Sequence, residues 1–430
     1  MASAGTVVVL AAGQGTRMKS STPKVLHRAC GRTLLGWCLE GARALSPARI
    51  LVVVGEGADE VERVLRAEEN VEGLDFVLQT ERRGTGHAVQ TCAPILQDCP
   101  GPVVVLYGDM PLLEAASIER LVEAQASAGA SLLTAVPQHA RGFGRIVREG
   151  GAGSVQAIVE EKDATPDQLA IREVNVGVYC FDKDRLLALL PKLSNDNAQG
   201  EYYLTDLVAM LLEEGVQPEA VVLPDEREAI GINTLAHLAE ARAAIQERIL
   251  VEHMANGVHI EDPSTTYIDH GVKIGPGSSV LPCTVIRAGV EVGAGCEVGP
   301  FTHLRVGTVL EDGAEVGNFT EAKKSRVGSG TKAKHLTYLG DVTIGKGANI
   351  GAGTIVANYD GKLKHKTTIG DGAFIGSGTV LVAPSTVGDG ALTGAGAIVT
   401  RKDVPANTVW VGVPARPLSP RQGGGNDQRS

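Results

Sequence analysis

Apolar residues follow two different rhythms along the chain. From Ile268 onward an aliphatic side chain returns every six positions: Ile268, Ile274, Val280, Ile286, Val292, Val298, Leu304, Leu310 and Val316, with Ala322 in the same phase. After a one-residue slip come Val327, Ala333 and Leu339, and after another Ile344, Ile350 and Val356. A longer interruption follows. Ile369, Ile375, Leu381 and Val387 then resume the period, and Thr393 and Val399 close it. A string of hairpins would show period two and variable spacing. The six-residue period predicts a parallel β-helix in which three hexads close one triangular coil, aliphatics inward. Glycine often follows the aliphatic, as in Ile274-Gly275, Val292-Gly293 and Ile375-Gly376, and eases the corner. Spacing leaves the hand of the coil open.

The first half alternates differently. Thr6–Ala12, Arg49–Val54, Leu74–Gln79 and Val103–Tyr107 are short, valine-rich runs. Helical stretches such as Leu34–Ala44 and Ala58–Glu68 lie between them. Strand, helix, strand in this order predicts an α/β domain with a mostly parallel sheet. We place it at residues 1–233. A connecting helix is expected over 234–256, with Leu235, Leu238, Ile245 and Ile249 on one face, Asn233 or Thr234 as cap and Gly257 as stop. The β-helix then occupies 257–416, and the polar, glycine-rich residues 417–430 read as a disordered tail.

Composition narrows the function. The chain has 430 residues and a net charge of −10, which argues against a general nucleic-acid binder. Its few aromatics are too sparse for a base-stacking surface. No apolar run reaches the roughly 18 residues of a membrane span, and no signal peptide is expected. The seven cysteines form no C-x-x-C pair, so reduced thiols in a cytoplasmic protein are expected. Of 54 glycines, 26 lie between Gly271 and Thr400, which ties the excess to the coil corners.

Candidate chemistry begins right after the first strand, at Leu10-Ala11-Ala12-Gly13-Gln14-Gly15-Thr16-Arg17-Met18. Small residues let backbone N–H groups approach phosphate oxygens, and Arg17 can bridge charged oxygens. A Gly-x-Gly alone also marks any tight turn, and the spacing fits neither the Walker loop nor the dinucleotide fingerprint. Pro23-Lys24 follows six residues after Arg17, and the whole string resembles the signature of sugar-1-phosphate nucleotidyltransferases. The resemblance continues. Gln79 with Gly84-Thr85-Gly86-His87 is similar to the segment that reads the base. Asp109 in Tyr107-Gly108-Asp109 would be a Mg²⁺ ligand, where a lone Asp after a strand would otherwise be a helix cap. Gly144 in Gly142–Ile146, Glu160 and Asn175 resemble sugar-binding segments, and Asn233 in Gly231-Ile232-Asn233 the second Mg²⁺ ligand. Asn197–Asp206 is also typical, or simply packs.

The hexads carry polar strings of their own. Gly317–Lys324, Lys334–Asp341, Asn349–Thr354 and Asn358–Lys364 resemble the acetyltransferase half of the bacterial bifunctional N-acetylglucosamine-1-phosphate uridyltransferases/glucosamine-1-phosphate acetyltransferases. The likeness spans about residues 5 to 405, and it implies a left-handed coil. It implies His335 as general base, with Arg305, Lys323 and Lys364 on a sugar phosphate and Tyr338 and Asn349 at the sugar. Asn358 and Tyr359 would lie at the sugar or the acetyl donor, and Ala352, Ser377 and Ala395 at acetyl-CoA. Cys296 lies upstream of these strings, so no acyl-enzyme is expected. In the other half, Arg17 and Lys24 would offset the charge that builds up when a sugar phosphate attacks the α-phosphorus of UTP.

Two departures stand out. The stretch between Gly257 and Pro300 is shorter than usual by about two coils. Val411–Ala415 stands where a basic residue is frequent, with Arg416 as a substitute. Three readings remain: the bifunctional enzyme, which would make UDP-N-acetylglucosamine from glucosamine 1-phosphate, acetyl-CoA and UTP; a nucleotidyltransferase whose coil only oligomerises; and a structural trimer. His335 and the Asn358–Lys364 loop favour the first, because a scaffold needs neither. A homotrimer is expected, since the flat prism and its projecting loop suit a site between subunits.

Overall fold

The computed structural model describes residues 5–418, apart from 141 and 198. The chain forms two compact units, 1–245 and 246–430, whose boundary falls within the helix Leu235–Ala255.

The first unit is a mixed sheet covered on both faces. Its main strands are β1 (Thr6–Leu10), β2 (Arg49–Val54), β3 (Leu74–Leu78), β4 (Val103–Tyr107), β5 (Ala130–Ala135), β6 (Val174–Phe181) and β7 (Glu219–Val222). Their order is β7-β5-β6-β4-β1-β2-β3, parallel except for β6, which runs antiparallel to both neighbours. The side-chain alternation of a strand explains the two layers. Val7 and Val9 join a core with Leu35, Leu39, Ile118 and Leu121 on one side. Val8 and Leu10 join Val89, Leu96, Leu189 and Leu207 on the other. Both faces are buried, so these strands read as continuous apolar runs. β1 pairs with β2 on one side and β4 on the other, and Leu10 lies beside Tyr107. Successive strands diverge from this point, which places a crevice at the carboxyl ends of β1 and β4.

The second unit is the β-helix read from the period. Three parallel sheets of very short strands run its length. Val280 pairs with Val298, and Val298 with Val316, 18 residues per coil. Each one-residue slip shortens the coils that contain it, so Leu310 pairs with Val327 and Ala322 with Leu339. The interruption after Val356 carries the chain from Ile344 to its partner Ile369, 25 positions on. The inward column is buried from Val280 to Val399, and Ile274 near its start is only half-buried.

A second periodic position emerges. Two residues before the aliphatic, Thr or Ser is buried at 302, 308, 320, 325 and 331. Except at Thr308, its hydroxyl donates to a backbone carbonyl of the adjoining coil, as Thr302 does to Gly317 at 2.7 Å and Thr331 to Gly345 at 2.6 Å. Acidic side chains cap corners from the next coil: Asp312 accepts from the Ala294 N–H at 2.8 Å and Asp371 from Lys346 at 2.9 Å.

Thr234 is the cap of the connecting helix, accepting from the His237 N–H at 3.2 Å. Gly257, with φ +85°, ends it by donating to Met254. Leu238, Ile245 and Ile249 are buried as expected, but Leu235 is exposed because it opens the first turn. At the other end, Arg416–Pro417 still pairs with Trp410–Val411, so order extends into the expected tail. The rest of that tail, from residue 419, lies outside the described residues.

Leu339→Ala, in the middle of the inward column, should destabilise the coil by about 2–5 kcal/mol. Glu291→Ala, on an exposed outward position, should change stability by about 0.5 kcal/mol or less. Denaturant titration of each variant checks both values.

Candidate active sites

A cleft of about 640 Å³ opens at the carboxyl ends of β1 and β4. Leu10, Ala11, Ala12 and Gly13 line one wall, with Gln79, Gly84 and Thr85 beside them. Gly144, Glu160 and Asn175 line a second wall, and Arg17, Lys24, Asp109 and Asn233 meet at the floor. Gly108 lies just beneath, its N–H donating to the Leu10 carbonyl at 2.9 Å. The sheet register makes this gathering possible, since the loops after β1 and β4 leave from adjacent strand ends.

The floor is a charge network. Lys24 Nζ donates to the Asp109 carboxylate and, at 3.3 Å, to Asn233 Oδ1. Arg17 Nη2 donates to the same Asn233 oxygen at 2.9 Å. Asp109 is therefore no helix cap. Gly15, at φ +63°, lets the loop lie against the Lys24 stem, where a Cβ would stand 2.6 Å from Lys24 Cβ.

Several wall residues are held by neighbours. Gln79 Nε2 donates to the Gly84 carbonyl at 3.2 Å and meets His87 Nδ1 at 3.1 Å. Asn175 bonds the Tyr179 hydroxyl and the Gly177 N–H, which pins the bulge in β6. The Asn197–Asp206 segment braces the same wall, with the Leu204 N–H on Thr85 Oγ1 and Tyr202 paired to Arg83 and Gly86. Burial, together with Asp163 and Asp206, holds the Glu160 carboxyl above the usual carboxylate range.

The coil gathers its candidates at two corners. His335, Ala352, Ser377 and Ala395 form one file up the first corner. The Gly353 N–H donates to the His335 carbonyl at 3.4 Å, Gly378 to Ala352 at 2.7 Å and Gly396 to Ser377 at 2.8 Å. The His335 residue is exposed. Asn349 starts the strand that leads into this file. Tyr338 opens the next face and reaches along it, its hydroxyl and Asn358 Nδ2 both crowding the side-chain space above Gly340.

The second corner is basic. Arg305 pairs with Glu321 at 2.6 Å. Lys364, with Arg305 close behind, pushes the Lys323 ammonium below the usual lysine range. The loop between Ala357 and Thr367 delivers Lys364 there. Asp360 shapes that loop by accepting the Lys362 and Leu363 N–H groups at 2.9 and 2.7 Å and pairing with His365 at 2.7 Å. Those contacts hold the Asp360 carboxyl well below the usual range. Tyr359 bridges to Lys364, and Asn358 bonds Asp341 at 2.6 Å.

Comparison with known proteins decides the family. The MobA-like NTP transferase domain matches residues 7–205, and the bacterial transferase hexapeptide (six repeats) matches 366–401. The protein named Bifunctional protein GlmU from Brevibacillus brevis is 43% identical over 412 residues, covering 88% of each chain. That of Pelobacter propionicus is 42% identical and covers 94% of each. That of Streptomyces avermitilis is 43% identical over 94% of this chain and 91% of its own. The chain belongs to the GlmU family. It is a bifunctional enzyme, a uridyltransferase and an acetyltransferase, with a left-handed β-helix of hexapeptide repeats after the nucleotidyltransferase half.

In this GlmU chain the cleft also holds residues that sequence reading passed over. Arg82 lines it and pairs with Glu56, which accepts from Gln14 as well. Arg82 lies between Gln79 and Gly84 of the motif segment, but no residue pattern singled it out within that segment. His237 lines it too, its Nδ1 3.2 Å from the Gly231 carbonyl. Its spacing, one helical turn after Asn233, was a legible signal. Cys296 is buried with its thiol on the Glu311 carbonyl at 3.2 Å, and burial raises its pKa, so it is unsuited to be a nucleophile.

A hard oxygen pair suits Mg²⁺, which keeps several waters and takes few protein ligands. Asp109 and Asn233 both already direct oxygens at one ammonium, so the donor set fits. Among the described residues no cluster of three His, Cys, Asp or Glu offers a rival site.

Proposed function

We propose that the cleft joins N-acetylglucosamine 1-phosphate to UTP with release of pyrophosphate, and that the coil acetylates glucosamine 1-phosphate from acetyl-CoA. The observation that carries the pairing is the basic corner of Arg305, Lys323 and Lys364 on a coil that also presents His335. A scaffold has no use for three crowded cations.

In the cleft, a sugar phosphate oxygen attacks the α-phosphorus and pyrophosphate leaves, so no protein nucleophile is required. Loop N–H groups after β1 face the phosphates. Arg17 and Lys24 neutralise developing charge. Gln79 and the Gly84–Thr85 turn read the base, while Gly144, Glu160 and Asn175 hold the sugar. Mg²⁺, held by Asp109 and Asn233, would supply further neutralisation of the phosphates when bound.

On the coil, the sugar amine attacks the thioester carbonyl, the C–S bond breaks and the CoA thiol leaves. His335 takes the proton the amine gives up. Arg305, Lys323 and Lys364 fix the phosphate, with Tyr338 and Asn349 at the sugar. Ala352, Ser377 and Ala395 are small, and their file offers acetyl-CoA a track that Asn358 and Tyr359 flank. In one chain the His335 file and the basic corner stand at opposite ends of a face. A trimer would bring one chain's file to a neighbour's loop and complete the site. Free thiols on all seven cysteines support a cytoplasmic setting, and no described helix is long and apolar enough to cross a membrane.

Three outcomes test this reading. Asp109→Ala should abolish uridylyl transfer and leave acetyl transfer intact, with the two half-reactions assayed separately. Equal loss of both in a folded variant would refute the two-site arrangement. His335→Ala should slow acetyl transfer by about 10²–10⁴, with little change in sugar phosphate binding. A near-normal kcat at neutral pH would show that His335 only packs. Light scattering should give a trimer, and a stable, active monomer would reject the shared site.

A further inference from the structure

Lys24 occupies the place where a divalent ion would sit. Its Nζ donates to both proposed cation ligands, the Asp109 carboxylate and Asn233 Oδ1. Its side chain is 11% exposed and that of Asp109 15%, so the pair is largely withdrawn from water. There, a lone carboxylate is costly and a second cation beside the ammonium is repelled. An ion with oxygen ligands at about 2.0–2.1 Å needs the volume that the ammonium fills. Arg17 adds another positive group on the same Asn233 oxygen. The stem of Lys24 is clamped by Gly15, so relocation requires only the end of the side chain to swing. A bound triphosphate supplies what would draw it away: a polyanion at the mouth of the same loop.

We propose that Lys24 is the resident cation of the nucleotide-free site, and that a divalent ion enters only as a triphosphate takes Lys24 off Asp109. Metal and nucleotide then bind as one coupled event, and Lys24 keeps the two ligand oxygens converged beforehand. This rests on the reading of Asp109 and Asn233 as cation ligands. Linkage makes the coupling reciprocal.

Mn²⁺ is the probe, with free ion counted by electron paramagnetic resonance on the full chain. Without UTP, Lys24→Met should bind Mn²⁺ about tenfold or more tighter than the unaltered protein. With UTP that advantage should vanish. Lys24→Gln, neutral and polar, gives the same comparison if the Met variant does not fold. The proposal is overturned if neither folded variant gains affinity for Mn²⁺ alone. It is also overturned if the unaltered protein binds Mn²⁺ as tightly without UTP as with it. Asp109→Ala judges the ligand reading separately. It should weaken Mn²⁺ binding in the presence of UTP about tenfold or more, and unchanged binding removes Asp109 as a ligand whatever Lys24 does.

Discussion

Parallel pairing of backbone N–H and C=O groups is the constraint on which both units depend. A parallel pair leaves its two strands ending on the same side, so whatever follows the strands becomes neighbours. In the first unit the pair that matters is β1 with β4, where Leu10 stands beside Tyr107. The glycine-rich loop and Asp109, almost a hundred residues apart in sequence, leave from that edge together. In the second unit the same constraint applies at every coil. A residue sits over the one 17, 18 or 25 positions earlier, and a column of functional side chains is set by that count.

Both sites carry excess positive charge, the coil more than the cleft. The cleft floor sets two cations, Lys24 and Arg17, against the single carboxylate of Asp109, with the neutral Asn233 oxygen accepting from both. The basic corner is unbalanced, since only Glu321 answers Arg305 while Lys323 and Lys364 face each other. Crowded like charges weaken a fold locally and strengthen anion binding. The rigid coil tolerates that corner because its stability comes from the buried aliphatic column and the hydroxyls above it. Asp360 and its backbone partners give the projecting loop a fixed shape without drawing on the coil.

Much of the cleft wall is held by hydrogen bonds within the chain. Gln79 and Asn175 spend amide groups on Gly84, His87, Tyr179 and Gly177. Such contacts hold the loops that line the cleft in fixed positions. The Asn197–Asp206 segment does the same from outside. Its contacts with Thr85 and Gly86 are those of a packing segment.

The sequence by itself determined the coil, because a strict six-residue period has one economical burial and every slip or insertion shows in the count. It marked four strands of the first sheet, β1 to β4, as short apolar runs, whereas β5, β6 and β7 were not read from it. It marked most cleft residues through the motif strings that flank them. What only the tertiary structure decided was adjacency without a local signature. Arg82 enters the cleft through its partner Glu56, and the Thr and Ser hydroxyls reach a carbonyl that lies one coil away. The exposure of Leu235, despite its place on the apolar stripe, depends on which turn of the helix has a neighbour. Lys24 on Asp109 is the sharpest case. Each was legible as a candidate, but a charge meeting its counter-charge across 85 positions depends on where two strand ends converge, and no local pattern records that.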